Sequence, residues 1–175
     1  ALFVGDSTQI VYAGNTAFAA AMPGGYFNSA TGFGTLGYGL PAAIGAALGA
    51  QGRPVVAFVG DGGLQFSIAE LTSAVEAQVP IILMLHDNNG YAEIKSYMVA
   101  HGIPPLGVDI LTPDLIAIAR ACGWATAFLA EPTDLASQLS AAATSGVPSL
   151  LMFNDRFRHG FPYAAFRSIV SRTDT

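Results

Sequence analysis

The sequence predicts an α/β fold in which a doubly wound, mostly parallel sheet carries helices on both faces. Short apolar runs alternate with stretches of helical periodicity along the 175 residues, which is the pattern of βαβ units. The runs are continuous and strand-sized, as expected of strands buried on both faces. The length suits one domain, so we expect residues 1–175 to form a single one. Four of the six arginines lie in residues 156–175, which we interpret as a tail that contacts a partner.

The first half of the chain predicts two strands and two helices. A strand is expected at 1–4 and a second, central one at 54–59, where every residue after the proline is apolar. Residues 40–50 are small and apolar at helical spacing, with a proline near the start, where its missing N–H costs least. Residues 65–78 carry apolar side chains every three to four positions, which indicates an amphipathic helix.

The second half continues the alternation. A strand is predicted at 80–85, followed by polar turn residues. Thr112, Pro113 and Asp114 suit the N-cap and first turn of a helix that reaches about Cys122 and is closed by Gly123. The remaining predicted elements are a strand at 124–129, a helix at 133–144 and a last strand at 149–153.

Composition and charge exclude several classes of protein. Hydrophobic residues make up 52% and charged residues 11% of the chain, against about 25% charged in ordinary soluble domains. This composition excludes intrinsic disorder, and no apolar run approaches the ~18 residues of a membrane-spanning helix. The net charge of −5 disfavours nucleic acid as a partner. The shortage of charge predicts either an unusually well wrapped domain or a surface covered by another polypeptide.

The single cysteine, Cys122, cannot form a disulfide within the chain, and no secretory signal is visible at the first residues. We therefore expect a cytoplasmic location. Cys122 is predicted to be buried without a chemical role, and His86 and His101 are expected to be structural or surface residues.

Three predicted strands end in clusters of polar residues and glycines. Because the carboxyl ends of parallel strands meet at one edge of a sheet, we expect these clusters to lie together near a topological switch point. The clusters are Gly5-Asp6-Ser7-Thr8, Gly60-Asp61-Gly62-Gly63 and Asp87-Asn88-Asn89-Gly90.

Asp61 and Asn88 form the most informative pair. A glycine-flanked aspartate offers a hard oxygen ligand beside backbone N–H groups that can hold a phosphate. The 26 residues between Asp61 and Asn88 are about what one helix and one strand use. With the carbonyl of Gly90, these oxygens suit Mg²⁺ bound to a diphosphate. The alternative is that Asp61 only caps the following helix and residues 88–90 form a turn, but the joint spacing favours the metal–diphosphate site.

The pattern Gly60-Asp61-Gly62, Asn88 and Gly90-Tyr91 resembles the thiamine-diphosphate signature of pyruvate decarboxylases, benzoylformate decarboxylases and acetolactate synthases. That signature belongs to their C-terminal, pyrophosphate-binding domain. The glycine-rich residues 32–46 are similar to a stretch of acetolactate synthase catalytic subunits. Residues 89–98 resemble acetolactate-synthase-like 2-oxo-acid decarboxylases, including the 5-guanidino-2-oxopentanoate enzyme.

The resemblance implies a role for individual residues. Asp61, Asn88 and the Gly90 carbonyl would hold Mg²⁺ against the diphosphate of thiamine diphosphate. Leu36 would support the bent cofactor, and the Gly34 carbonyl would accept the pyrimidine amino group. Contacts to the diphosphate or its immediate surroundings would come from Asp6, Ser7, Thr8, Gly60, Gly62, Gly63, Tyr91, Ala92 and Glu93. Asp87 departs from the family, which often has asparagine there, and we assign it no role.

The resemblance also implies that the chain is incomplete as a catalyst. In the family, the glutamate that activates the cofactor belongs to a pyrimidine-binding domain of a neighbouring subunit, and none of the four glutamates here has a motif that assigns it this role. We expect a subunit or fragment of a 2-oxo-acid decarboxylase, a lyase that works as a dimer or tetramer on a small 2-oxo acid. The alternatives are an acetolactate-synthase-like carboligase and a non-catalytic cofactor-binding or regulatory subunit.

A nucleotide-dependent oxidoreductase is the least favoured function. Gly32-x-Gly34-x-x-Gly37 matches the dinucleotide-binding fingerprint, but no obvious strand precedes it and no acidic residue lies about 20 positions later. We therefore expect this glycine-rich segment to serve another purpose.

Overall fold

The computed structural model describes residues 1–50 and 52–159, and its strands form one parallel sheet. The strand order is β2-β1-β3-β4-β6-β5, and every neighbouring pair is parallel. This arrangement confirms the predicted α/β class. The strands are β1 (Leu2–Gly5), β2 (Tyr26–Asn28), β3 (Val55–Gly60), β4 (Ile82–Asp87), β5 (Ala125–Phe128) and β6 (Ser149–Asn154).

Helices cover both faces of the sheet, because successive strand residues point to opposite sides. Ala57 and Val59 of β3 belong to one core cluster, whereas Val56 and Phe58 belong to the other. Helices α2, α4 and α6 contribute to the first cluster, and α1, α7 and α8 to the second. The helices are α1 (Gln9–Ala17), α2 (Gly39–Gly49), α3 (Asp61–Gln65), α4 (Glu70–Glu76), α5 (Ala92–Ala100), α6 (Leu115–Ala121), α7 (Leu135–Thr144) and α8 (Asp155–His159).

The order of the strands places a topological switch point between β1 and β3. The chain leaves β1 toward β2 on one side and returns to β3 on the other side of β1. Ligands of open parallel sheets bind at such a point, outside the carboxyl ends of the strands. Strand β4 lies next to β3, so the residues that follow β1, β3 and β4 share this edge.

The helix predicted at 65–78 is wrong in its bounds. The helical backbone starts at Asp61, directly after β3, and is interrupted between α3 and α4. There, Ser67 N donates to Leu64 O at 3.0 Å and Glu70 N to Ser67 O at 2.9 Å. These three-residue spacings are tight turns that break the regular α-helical ladder. Asp61 therefore stands at the start of a helix as well as at the end of a strand.

Among the strands and α-helices of the described residues, α1, β2, α5 and α8 were not predicted. Helix α5 has no buried residue, so the apolar periodicity that reveals a helix is missing from its sequence. Strand β2 is a short edge strand of three residues. Because β2 ends directly before residue 29, the expectation that no strand precedes Gly32-x-Gly34-x-x-Gly37 is also wrong.

The N-cap of α6 lies two residues later in the sequence than expected. Asp114, and not Thr112, caps this helix, because Asp114 Oδ1 accepts a hydrogen bond from Ala117 N at 2.8 Å. Cys122 is half-buried against the core, where we expected full burial. His86 is fully buried, with Nε2 3.0 Å from Asp155 Oδ1.

Of the predicted partner-contacting tail, residues 156–159 belong to α8, and residues 160–175 lie outside the described part of the chain. Within the described residues, no helix combines the length and the apolar character needed to cross a bilayer.

Candidate functional site

A cleft of about 170 Å³ opens at the carboxyl ends of β1, β3 and β4. Every residue predicted for the site lines this cleft except Asp6. The structure thus brings together side chains that are far apart in sequence. The predicted residues that line the cleft are Ser7, Thr8, Gly34, Leu36, Gly60, Asp61, Gly62, Gly63, Asn88, Gly90, Tyr91, Ala92 and Glu93.

Asp61 is buried at the base of the cleft, and its two carboxylate oxygens have different surroundings. Oδ2 accepts a hydrogen bond from Gly90 N at 3.0 Å and another from Thr112 Oγ1 at 2.7 Å. Two donors use both lone pairs of that oxygen. Oδ1 instead faces the amide of Asn88.

The Asn88 amide completes a cluster of oxygen atoms. One of its terminal atoms lies 2.8 Å from the Gly90 carbonyl oxygen and 3.2 Å from Asp61 Oδ1. Without a cation, the amide nitrogen is the atom that faces these two oxygens, because it can donate to both. A half-turn of the amide would present its oxygen instead, so that three oxygens converge on a position that a cation would fill.

This donor set fits Mg²⁺. A carboxylate, an amide and a backbone carbonyl are hard oxygen ligands, and Mg²⁺ takes one or two carboxylates with phosphate oxygens in place of an all-protein cage. Within the described residues, no three His, Cys, Asp or Glu side chains cluster as a metal site. The three protein oxygens leave octahedral positions of Mg²⁺ open to the oxygens of a diphosphate.

The turn between β4 and α5 fixes the position of Gly90. Asn89 adopts a left-handed conformation with φ of 57°, and its N–H donates to Asp87 Oδ1 at 3.1 Å. Gly90 has φ of 150°, and a Cβ atom there would lie 2.4 Å from the Val108 carbonyl oxygen. Only glycine fits this backbone.

Asp87 adds negative charge beside the cluster. Burial raises the pKa of Asp87, and the nearby charge of Asp61 raises it further, while the Asn89 N–H opposes the rise. A cation bound beside Asp87 would favour its ionised form and so oppose the rise.

Asp6 lies beneath the cleft and does not line it. Its carboxylate is fully buried and accepts hydrogen bonds from Ser7 N at 2.7 Å and Gly39 N at 2.8 Å. Burial raises the pKa of Asp6, although backbone N–H donors oppose the rise. Because Gly39 is the first residue of α2, Asp6 ties β1 to the start of that helix.

Ser7 fixes the glycine-rich segment at the rim of the cleft. Its hydroxyl donates to the Gly34 carbonyl at 2.8 Å and is 2.7 Å from the Ser29 hydroxyl. Gly34 N in turn donates to Ser29 O at 2.9 Å. The Gly34 carbonyl is therefore held in place with a second lone pair available to a ligand. Half-buried Leu36 lies in the same wall.

The backbone donors predicted for a diphosphate are only partly available. Tyr91 N donates to Val108 O at 2.9 Å, so of the contacts expected from Tyr91, an N–H donor or a neighbouring contact, the second remains. Ala92 and Glu93 begin α5, and the N–H groups of a first helical turn have no partner within the helix. Gly62 packs so tightly that a Cβ there would meet the Tyr91 ring at 2.6 Å.

Gln9, Tyr12 and Ile94 also line the cleft, and sequence reasoning missed them. Gln9 Nε2 donates to Glu93 Oε2 at 3.0 Å, which joins α1 to α5. Gln9 and Tyr12 lie three residues apart on α1, a spacing that places them on one helix face. That signal could have been used only if α1 had been predicted.

The chain resembles known proteins both in sequence and in fold. The family model described as thiamine pyrophosphate enzyme, C-terminal TPP binding domain, matches residues 6–153. The chain is 43% identical over 131 residues to a probable 2-ketoarginine decarboxylase of Pseudomonas aeruginosa, covering 74% of this chain and 23% of the relative. It is 34% identical to benzoylformate decarboxylase of the same species, and the alignment covers 86% of this chain and 28% of that relative.

Solved structures show the same architecture. The 4-hydroxybenzoylformate decarboxylase of Rhodococcus jostii superposes with a TM-score of 0.78 at 27% identity, covering 87% of this chain and 29% of that one. Benzoylformate decarboxylase of Polynucleobacter necessarius superposes with a TM-score of 0.79 at 26% identity, covering the same shares of the two chains.

The chain thus spans less than a third of the length of these relatives. The family match extends over most of the chain and includes the strand ends that form the cleft, so the resemblance to the thiamine-diphosphate signature is confirmed. The chain belongs to the family of C-terminal TPP-binding domains of thiamine pyrophosphate enzymes.

Proposed function

We propose that this chain holds thiamine diphosphate and Mg²⁺ in the cleft as part of a 2-oxo-acid decarboxylase. The observation that carries the proposal is the meeting of Asp61 Oδ1, the Asn88 amide and the Gly90 carbonyl at the strand ends. Asp61 and Asn88 offer side-chain ligands, and Gly90 offers its carbonyl. The first turn of α5 offers backbone N–H groups to the diphosphate.

In the proposed reaction, this chain binds thiamine diphosphate and orients it. When bound, thiamine diphosphate supplies the electron sink for cleaving the bond next to the carbonyl of a 2-oxo acid. Ser7 holds the Gly34 carbonyl at the rim, and Leu36 presents an apolar surface beside it. These residues would fix the two ends of the cofactor relative to the metal.

We propose that a pyrimidine-binding domain covers the cleft and completes the active site in a dimer or tetramer. Large apolar side chains are exposed around the cleft, and such patches are typical of interaction surfaces. Phe33 is 102% exposed, Phe66 64%, Ile94 50% and Tyr97 60%. The low charge of the chain supports the same interpretation.

Decarboxylation is favoured by the two Pseudomonas relatives, both of which are named as decarboxylases. A carboligase is the alternative, because the chain is also 31% identical to an acetolactate synthase large subunit of Escherichia coli. A non-catalytic cofactor-binding subunit is the other alternative. Absence of turnover after addition of a pyrimidine-binding polypeptide would favour it.

We further propose a substrate with a positively charged end. Asp61 and Glu93 are the charged side chains among the described residues that line the cleft, and Asp61 is assigned to the metal. Glu93 is exposed and directed across the cleft toward Gln9. A carboxylate binds a guanidinium group with strong, paired hydrogen bonds, and 2-ketoarginine, named for one relative, carries such a group.

Calorimetric titration of thiamine diphosphate into the purified chain tests the cofactor assignment. Binding is expected with Mg²⁺ and not with a chelator, and Asp61→Ala should abolish it. Glu76→Gln, which removes an exposed carboxylate from α4, serves as the control and should bind like wild type. Binding of NAD without metal, with no response to thiamine diphosphate, would overturn the proposal.

A further inference from the structure

Thr112 contacts the proposed metal ligand from a distant part of the chain. Its hydroxyl donates to Asp61 Oδ2 at 2.7 Å across 51 residues of sequence. Thr112 is half-buried in the segment between α5 and α6. It lies outside the glycine-flanked motif and is not needed as the cap of α6.

The surrounding contacts hold Thr112 in place from both sides. Before it, the Val108 carbonyl accepts the Tyr91 N–H at 2.9 Å, and Asp109 pairs with Lys95 at 2.6 Å. After it, Asp114 caps α6, and Leu115 is fully buried in the core. The hydroxyl is therefore presented to Asp61 by a segment that is fixed at both ends.

This contact determines how many oxygens Asp61 can offer. Oδ2 already accepts from Thr112 and Gly90, so both of its lone pairs are used. Oδ1 alone remains directed at the Asn88 amide. A carboxylate held in this way binds a metal through one oxygen.

Binding through one oxygen discriminates between metals. Mg²⁺ requires near-octahedral coordination, whereas Ca²⁺ accepts more ligands and often binds both oxygens of a carboxylate. We propose that Thr112 is a positioning residue that holds Asp61 in its one-oxygen orientation and so favours Mg²⁺ over Ca²⁺. This inference rests on the proposed function above.

The test compares Thr112→Val, which removes the hydroxyl but keeps the shape, with Thr112→Ser, which keeps the hydroxyl. Thiamine diphosphate is titrated by calorimetry into each purified variant with Mg²⁺ or Ca²⁺ held below saturation, so that the apparent affinity reports metal binding. Loss of such a supporting hydrogen bond weakens metal binding ~10-fold or more. Thr112→Val should show this loss with Mg²⁺ and a smaller loss with Ca²⁺, while Thr112→Ser stays close to wild type.

Thr72→Val removes a hydroxyl that bonds only within its own exposed turn of α4, and it should behave like wild type. Thermal unfolding without ligand confirms that each variant is folded, and Thr112→Ala provides a second hydroxyl deletion. Unchanged Mg²⁺-supported affinity in the folded deletions, or an equal loss with both metals, would overturn the inference. If wild type itself shows no Mg²⁺-dependent binding, the proposed function fails, and this inference fails with it.

Discussion

At the scale of single residues, carboxylates of the same type have different tasks because their surroundings differ. Asp6 and Asp61 both follow a strand and are both buried. Asp6 uses its two oxygens on backbone N–H groups, so it stabilises the fold. Asp61 keeps one oxygen directed at Asn88, so it can bind a metal.

Replacing Asp6 with alanine should destabilise the protein by about 2 kcal/mol, because a buried N–H group and a half-buried one lose their acceptor. Urea unfolding followed by circular dichroism measures the change. Asp109→Ala is the matched control, since Asp109 is exposed and its ion pair contributes less than about 1 kcal/mol. An equal loss in both variants would contradict the role given to Asp6.

Replacing Glu93 with glutamine tests the proposed substrate class. In the assembled enzyme, Glu93→Gln should raise the KM for a guanidino 2-oxo acid ~10-fold, because a charge-assisted hydrogen bond is lost. The KM for an uncharged 2-oxo acid of similar length should stay unchanged. A similar rise for both substrates would show that Glu93 does not recognise the positive charge.

Some residues of the site can be predicted from the sequence, and others cannot. Asp61 and Asn88 could be found because each directly follows a strand and the spacing between them matches one helix and one strand. Thr112 could not be found, since its contact with Asp61 depends on how a 51-residue stretch folds back.

At the scale of elements, a buried helix or strand can be predicted from its apolar pattern, whereas an exposed one cannot. Strands β3 and β4 are buried on both faces and were predicted from continuous apolar runs. Helix α5 has no buried residue, and its sequence carries no periodic pattern. Its exposed residues are those that the proposed pyrimidine-binding domain would bury.

Adding one methyl group at Gly90 tests whether the turn before α5 is needed for cofactor binding. Gly90→Ala should weaken thiamine diphosphate binding ~10-fold or more, because the new Cβ would meet the Val108 carbonyl and displace the Gly90 oxygen. Calorimetry measures the affinity. Gly45→Ala, at an open position of α2, is the control and should raise stability by about 0.5–1 kcal/mol without affecting binding. Normal binding by Gly90→Ala would contradict the role of this turn.

At the scale of the whole molecule, the chain is one domain of an enzyme family whose relatives are three to four times its length. Its cleft brings together the proposed metal ligands and phosphate donors, and among the described residues no glutamate is assigned to activate the cofactor. Two of its exposed large apolar side chains, Tyr12 and Ile94, line that cleft. We therefore expect binding and catalysis to be separable.

The purified chain should bind thiamine diphosphate and Mg²⁺ yet release no CO₂ from 2-oxo acids, since the activating group would come from a pyrimidine-binding domain. A coupled decarboxylation assay measures turnover with and without that polypeptide. Normal turnover by the chain alone would contradict the need for a partner.

The central claim is the position of the metal, and anomalous diffraction tests it most directly. Crystals grown with thiamine diphosphate and Mn²⁺ in place of Mg²⁺ should show one strong peak about 2.2 Å from Asp61 Oδ1, the Asn88 amide oxygen and the Gly90 carbonyl oxygen. A peak at another place in the chain, or bound thiamine diphosphate with no metal at this cluster, would contradict the account.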